Sequence, residues 1–146
     1  MQISDDLPAR PPGFRIDELR GGPARVDVVP VHLGTDGTQL AACRAAGARG
    51  IVLEALGAGN LTPAVLTEAI DCLRSGVPLL VTSRCADGPT VAHYGGGGGA
   101  DLAAAGAVPA GPLGSAKARL LLAAALTAER GVDAALARIG PHLAAR

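Results

Sequence analysis

The chain has 146 residues, enough for one domain with a genuine core and too few for two ordinary ones. Thirteen basic and thirteen acidic residues cancel, and one Phe, one Tyr and no Trp supply neither a positive field for phosphates nor platforms for stacked bases, so nucleic acid is not an expected partner. The 49% hydrophobic share, drawn mostly from Ala, Leu and Val, suits close helix and sheet packing and leaves a surplus that points to an oligomer or a partner surface.

The first residues, Met1-Gln2-Ile3-Ser4-Asp5-Asp6, are acidic and hold no apolar run. Nowhere does the chain carry the roughly 18 apolar residues of a membrane span, so a cytoplasmic protein without a membrane partner is expected. Three cysteines, Cys43, Cys72 and Cys85, form no Cys-x-x-Cys pair, and no metal site or cofactor motif is read from them. Cys43 and Cys72 fall inside predicted helices as small buried hydrophobes. Cys85 stands at a strand end with no histidine close in sequence to activate it.

Residues 1–25 hold Pro8, Pro11, Pro12, Gly13, Gly21, Gly22 and Pro23 among charges, which reads as an irregular arm or linker before a domain over 26–146. From Val26 onward strand-like and helix-like segments alternate, the pattern of βαβ units. A first strand is expected over 26–33, where Pro30 removes a ladder donor and argues for an edge position or a bulge. A helix over 38–46 follows with a Thr cap at its start and Gly47 at its stop. Residues 51–56 form a continuous apolar strand, as a central strand covered on both faces requires.

Thr62-Pro63 then gives an N-cap and a proline at the first helical position, and Val65, Leu66, Ala69, Ile70 and Leu73 give one apolar face before Gly76 and Pro78 end the helix. A third strand is predicted over 77–82 and a short fourth over 107–109. The five glycines 95–99 read as a mobile loop, since no phosphate-cradle spacing accompanies them. Helices over 115–129 and 132–139 close the chain. The fold class is therefore α/β, a three-layer domain with a small, mostly parallel sheet of about four strands flanked by helices.

Three segments concentrate polar groups at the C-terminal edge of such a sheet, where open α/β sheets bind ligands. They are Gly50-Ile51-Val52-Leu53 running into Gly57, Gly59 and Asn60; Val81-Thr82-Ser83-Arg84-Cys85; and Tyr94 with the glycines that follow. Together with Lys117-Ala118-Arg119, their order and spacing resemble the C-terminal domain of the bacterial L-asparaginase family, over residues 26–139. The resemblance implies an α/β domain that dimerises against the catalytic domain of a neighbour and helps complete its active site, with Asn60 matching the asparagine offered near the substrate. Read without the family, Asn60 is a turn residue tolerant of left-handed backbone.

The family's chemistry depends on Thr residues in T-G-G-T-I and G-T-D-T motifs of its first domain, and neither motif occurs here. Gly34-Thr35-Asp36-Gly37 only superficially resembles the second and reads as a turn and helix cap. An acidic residue that some members supply after the Ser-Arg strand also has no counterpart between Asp87 and Asp101. No catalytic residue is assigned, and the ligand-contact candidates are Asn60, Ser83, Arg84, Cys85 and Tyr94. Arg84 can grip a carboxylate in two-pronged fashion or serve a structural salt bridge. Two functions are expected from different classes. One is a non-catalytic domain of an amidohydrolase acting on asparagine or a related amide, as a homo-oligomer or with a separate catalytic-domain protein. The other is a repurposed small-molecule enzyme of a specialised pathway using the same sheet edge.

Overall fold

The computed structural model describes residues 11–144, so the first ten residues of the arm lie outside the described part. Four strands, β1 (Val26–Pro30), β2 (Gly50–Ala55), β3 (Leu79–Ser83) and β4 (Val108–Pro109), pair in sequence order, all parallel. Parallel neighbours need a crossover, and α1 (Thr38–Ala45), α2 (Pro63–Arg74) and α3 (Gly99–Ala104) supply the three. All three pack on one face, where Leu40, Val65, Ala69 and Leu102 meet Val29, Ile51, Leu53, Leu79 and Val81. The alternate residues Val26, Val52 and Leu80 point the other way, onto α4 (Ser115–Ala128) and α5 (Val132–Leu143). The three expected layers are present, and β2 is central with both faces buried.

The elements end where local chemistry stops them. Pro30 closes β1, the edge strand, after which Val31 donates to the Glu54 carbonyl at 2.9 Å and a turn begins. At the other end of α2, Val77 donates back to the Cys72 carbonyl, so β3 starts at Leu79 rather than at 77. Thr62 caps α2 as expected, accepting from Val65 N at 3.3 Å ahead of Pro63. The cap of α1 differs from expectation. Gly37 is its N-cap residue, and the Asp36 carboxylate accepts from Thr38 N at 3.0 Å, which holds Asp36 below its ordinary carboxyl pKa.

Two further differences arise from packing. α5 continues past Gly140 and Pro141 to Leu143, because Ile139 and Leu143, four residues apart, both bury against α4, and that gain outweighs the bond proline cannot make. Residues 95–99 are not loop throughout, since Gly98 and Gly99 are buried and Gly99 opens α3. The described part of the arm is also tied down. Ala24 N donates to Thr127 Oγ1 at 2.9 Å, and Arg138 stacks 4.3 Å above the Phe14 ring while pairing with Glu18 and Glu129 at 2.7 Å.

Gly50 sets how closely α4 approaches the sheet. A β-carbon there would lie 2.8 Å from Leu122 Cδ2 and 2.9 Å from Leu126 Cδ1, both in the buried interior. Gly50→Val should therefore push α4 off β2 and cost about 1–3 kcal/mol, despite valine's preference for strands. A fall in the urea midpoint at unchanged slope will show it; an unchanged or raised midpoint contradicts this close approach.

Candidate functional site

Between β2 and α2 the chain makes a tight turn. Leu56 and Asn60 exchange backbone hydrogen bonds, Leu56 N to Asn60 O at 2.9 Å and Asn60 N to Leu56 O at 2.8 Å. Closing a loop that short requires positive φ at Gly57 (52°) and Gly59 (129°), the left-handed region that glycine enters freely. Ser83, at the end of the neighbouring strand, fastens this turn. Its hydroxyl donates to the Gly57 carbonyl at 2.6 Å and accepts from Cys85 N at 3.0 Å.

Arg84 reaches across the end of β2 and donates through Nη1 to the Val31 carbonyl at 2.8 Å. It binds no carboxylate among the described residues, so the salt-bridge reading is not met there. Cys85 is exposed with a free thiol; Cys72 is buried and Cys43 partly so, and burial raises both of their thiol pKa values. The third loop closes over the turn. Val91 N donates to the Ala58 carbonyl at 2.9 Å, and Ala100 N to the Tyr94 carbonyl at 2.9 Å. Gly98 lies so close that a β-carbon would strike the Tyr94 carbonyl and come within 2.9 Å of Asn60 Oδ1. Asp101 completes the loop, accepting from Gly97 N at 2.7 Å.

The structure thus brings Asn60, Ser83, Arg84, Cys85 and the loop after Tyr94 to one edge. Tyr94 points outward, 55% exposed, its ring edge-on to His93 at 4.8 Å. The sheet order differs from that of folds that form a crevice at this edge, because the strands run in sequence order without a reversal. The small space behind the turn, between Gly59, Val81, Val91 and Gly99, amounts to ≈ 10 Å³, about one water.

The Thr82, Thr90 and Thr35 hydroxyls near this edge are engaged with backbone. Thr82 Oγ1 donates to the Leu53 carbonyl at 2.9 Å and Thr90 Oγ1 to the Val81 carbonyl at 3.0 Å, both buried. Thr35 Oγ1 accepts from His32 N at 2.8 Å, and His32 Nδ1 faces the Leu33 carbonyl at 2.9 Å. No hydroxyl or thiol is hydrogen-bonded to a histidine ring among the described residues, and none of their His, Cys, Asp and Glu groups forms a metal cluster. Sequence reading missed the role of Thr90, a lone threonine with no motif around it, and that of Glu54, whose carboxylate accepts from the Ser115 hydroxyl at the start of α4.

Gly98→Ala should separate the Tyr94 carbonyl from the Asn60 side chain and loosen the third loop, at a cost of about 1–3 kcal/mol. Limited proteolysis will report it as faster cleavage within residues 94–99. Cleavage at the parent rate would show that Gly98 does not hold this loop on the turn.

Against known proteins, a model of the glutaminase/asparaginase C-terminal domain matches residues 25–137. The chain is 39% identical over 99 residues to a probable L-asparaginase of Deinococcus radiodurans, covering 67% of this chain and 30% of that protein. It is 33% identical over 102 residues to an L-asparaginase of Bacillus licheniformis, covering 69% and 32%. The matched stretch therefore spans about a third of the length of these relatives.

Proposed function

The chain belongs to the glutaminase/asparaginase C-terminal domain family, and we propose that it is the non-catalytic part of an amide hydrolase, presenting Asn60 to a catalytic domain that sits on its sheet edge. The substrate is asparagine or a related amide, and the working form is a homo-oligomer or a complex with a separate catalytic-domain protein. The observation that carries this reading is the make-up of the edge. The Thr82, Ser83 and Thr90 hydroxyls are held by backbone groups, while Leu33 (87% exposed), Val91 and Tyr94 stand out from its loops. An edge with apolar side chains outward, a polar turn between them and no crevice of its own supports docking against a second wall.

Asn60 suits this role because its backbone is fixed by the Leu56 bridge, while its amide forms no side-chain hydrogen bond to another described residue. Arg84 retains guanidinium donors beyond the one given to Val31, and these are available to a carboxylate or to the partner's backbone. Ser83 and Cys85 position the turn, and Tyr94 borders it. Free cysteines fit a cytoplasmic setting. No helix among the described residues is long and apolar enough to cross a membrane. The repurposed-enzyme reading has less support, since among the described residues no hydroxyl or thiol is hydrogen-bonded to a histidine ring, and the Ser115 hydroxyl that meets the Glu54 carboxylate has no assigned role in catalysis.

Alone, the purified chain should release no ammonia from asparagine or glutamine. Mixed with a separately produced asparaginase catalytic domain, it should bind and restore amide hydrolysis, and Asn60→Ala should lower turnover about tenfold or more without abolishing binding. Hydrolysis by the chain alone, or a well-folded pair that releases no ammonia, overturns the proposal.

A further inference from the structure

Residues 11–23 of the arm lie along α4 and α5 without one buried residue, and the chain is first buried at Ala24. The 3₁₀ turn Ile16–Leu19 within this segment has no buried side chain, and Ile16 is 89% exposed. Phe14, half-buried against the α4–α5 cluster, is its main apolar anchor, so burial holds the segment only lightly. Leu19 and Pro23 do not close on α4 either. Between them and Leu120, Ala123, Ala124 and Thr127 a space of ≈ 290 Å³ remains.

The ties that hold the segment are polar and converge on α5. Arg138 Nη2 donates to Glu18 Oε2 at 2.7 Å, and its guanidinium lies 4.3 Å above the Phe14 ring. The same Glu18 oxygen accepts from Arg15 N at 2.7 Å, so one carboxylate both braces the 3₁₀ turn and fastens it down. One turn further along α5, His142 Nε2 lies 3.2 Å from the Pro12 carbonyl. Arg138 gives its other nitrogen to Glu129 at the end of α4, a bond within the helical layer that does not involve the arm.

Two glycines separate this clasp from the body. Gly21 and Gly22 stand at φ 105° and 89° with open space around both, and beyond them Ala24 N is bonded to Thr127 Oγ1 before Val26 enters β1. Glycine turns most freely about its backbone, so the segment can leave as a unit while Ala24 stays in place. The Arg138 and Glu18 side chains are 24% and 32% exposed, and solvent screening weakens an ion pair so placed. We propose that residues 11–20 form a hinged strap, latched by Arg138 and Glu18 and swinging on Gly21-Gly22 to bare the Leu120, Ala123 and Ala124 side of α4. The strap is independent of the amide-hydrolase reading.

Nitrogen-15 relaxation of the full chain tests it. In the parent, backbone order parameters of about 0.85 are expected at residues 14–20, the latched state. Glu18→Ala, which leaves the Arg138–Glu129 pair in place, should lower them below about 0.6 while α4 and α5 stay at about 0.85. In the same variant a soluble gadolinium chelate should relax the Ala123 and Ala124 methyls faster than in the parent. Arg138→Gln should free the strap as well. An arm that stays ordered in either folded variant, or that is already below about 0.6 in the parent, overturns the proposal. Order lost from α4 and α5 together with the arm also overturns it, because the segment would then belong to the cooperative core.

Discussion

Three successive crossovers on the same face of a parallel sheet constrain everything else in this molecule. Because α1, α2 and α3 all cover one face, the strands lie in sequence order and α4 with α5 must cover the other. In sheets where the order reverses, neighbouring loops diverge to opposite faces and a crevice opens between them. Here the loops after β1, β2 and β3 lean the same way and fasten to one another. Arg84 holds the end of β1, Ser83 holds the turn after β2, and Val91 holds the loop after β3 onto that turn. The edge that results is an ordered surface with one wall.

That surface is built largely from backbone. Gly57 and Gly59 supply conformations that other residues resist, and Gly98 and Gly99 supply space that a side chain would fill. Buried hydroxyls of Thr82 and Thr90 go to main-chain carbonyls, and among the described residues no buried side-chain donor or acceptor is left without a partner. Covalent chemistry needs a nucleophile poised beside a base; at this edge the Thr82, Ser83 and Thr90 hydroxyls are held by backbone groups, and the free Cys85 thiol is exposed with no histidine ring bonded to it among the described residues. What it offers is shape, an amide at Asn60 and exposed apolar side chains around it, features that support the proposed docking of a second domain.

Much of the fold was legible because its signals are local. The Thr62-Pro63 start of α2 and the unbroken apolar run of β2 each follow from one physical rule and hold in the structure, and of the edge position or bulge that Pro30 argued for, the structure has the edge. The short helix α3 was not legible, since four glycines precede it, a fifth opens it, and Leu102, packed in the core, with Asp101, bonded back to Gly97, hold its six residues. The extension of α5 through Pro141 likewise depends on tertiary burial of Leu143. At the candidate site, the sequence placed Asn60, Ser83, Arg84, Cys85 and Tyr94 on one edge, but the Ser83 and Arg84 side chains bond main-chain carbonyls. Every residue carries a carbonyl, so no residue type marks in advance that Arg84 will find Val31 or that Thr90 will find Val81.

Hydrogen–deuterium exchange of the chain with and without an asparaginase catalytic domain tests most directly whether this edge is half of a composite site. The account predicts new protection at residues 31–35, 56–60, 83–85 and 91–99, with the N-terminal ends of the strands unchanged. Protection confined to the opposite end of the sheet, or a tight complex that leaves residues 56–60 and 91–99 exchanging as in the free chain, would contradict it.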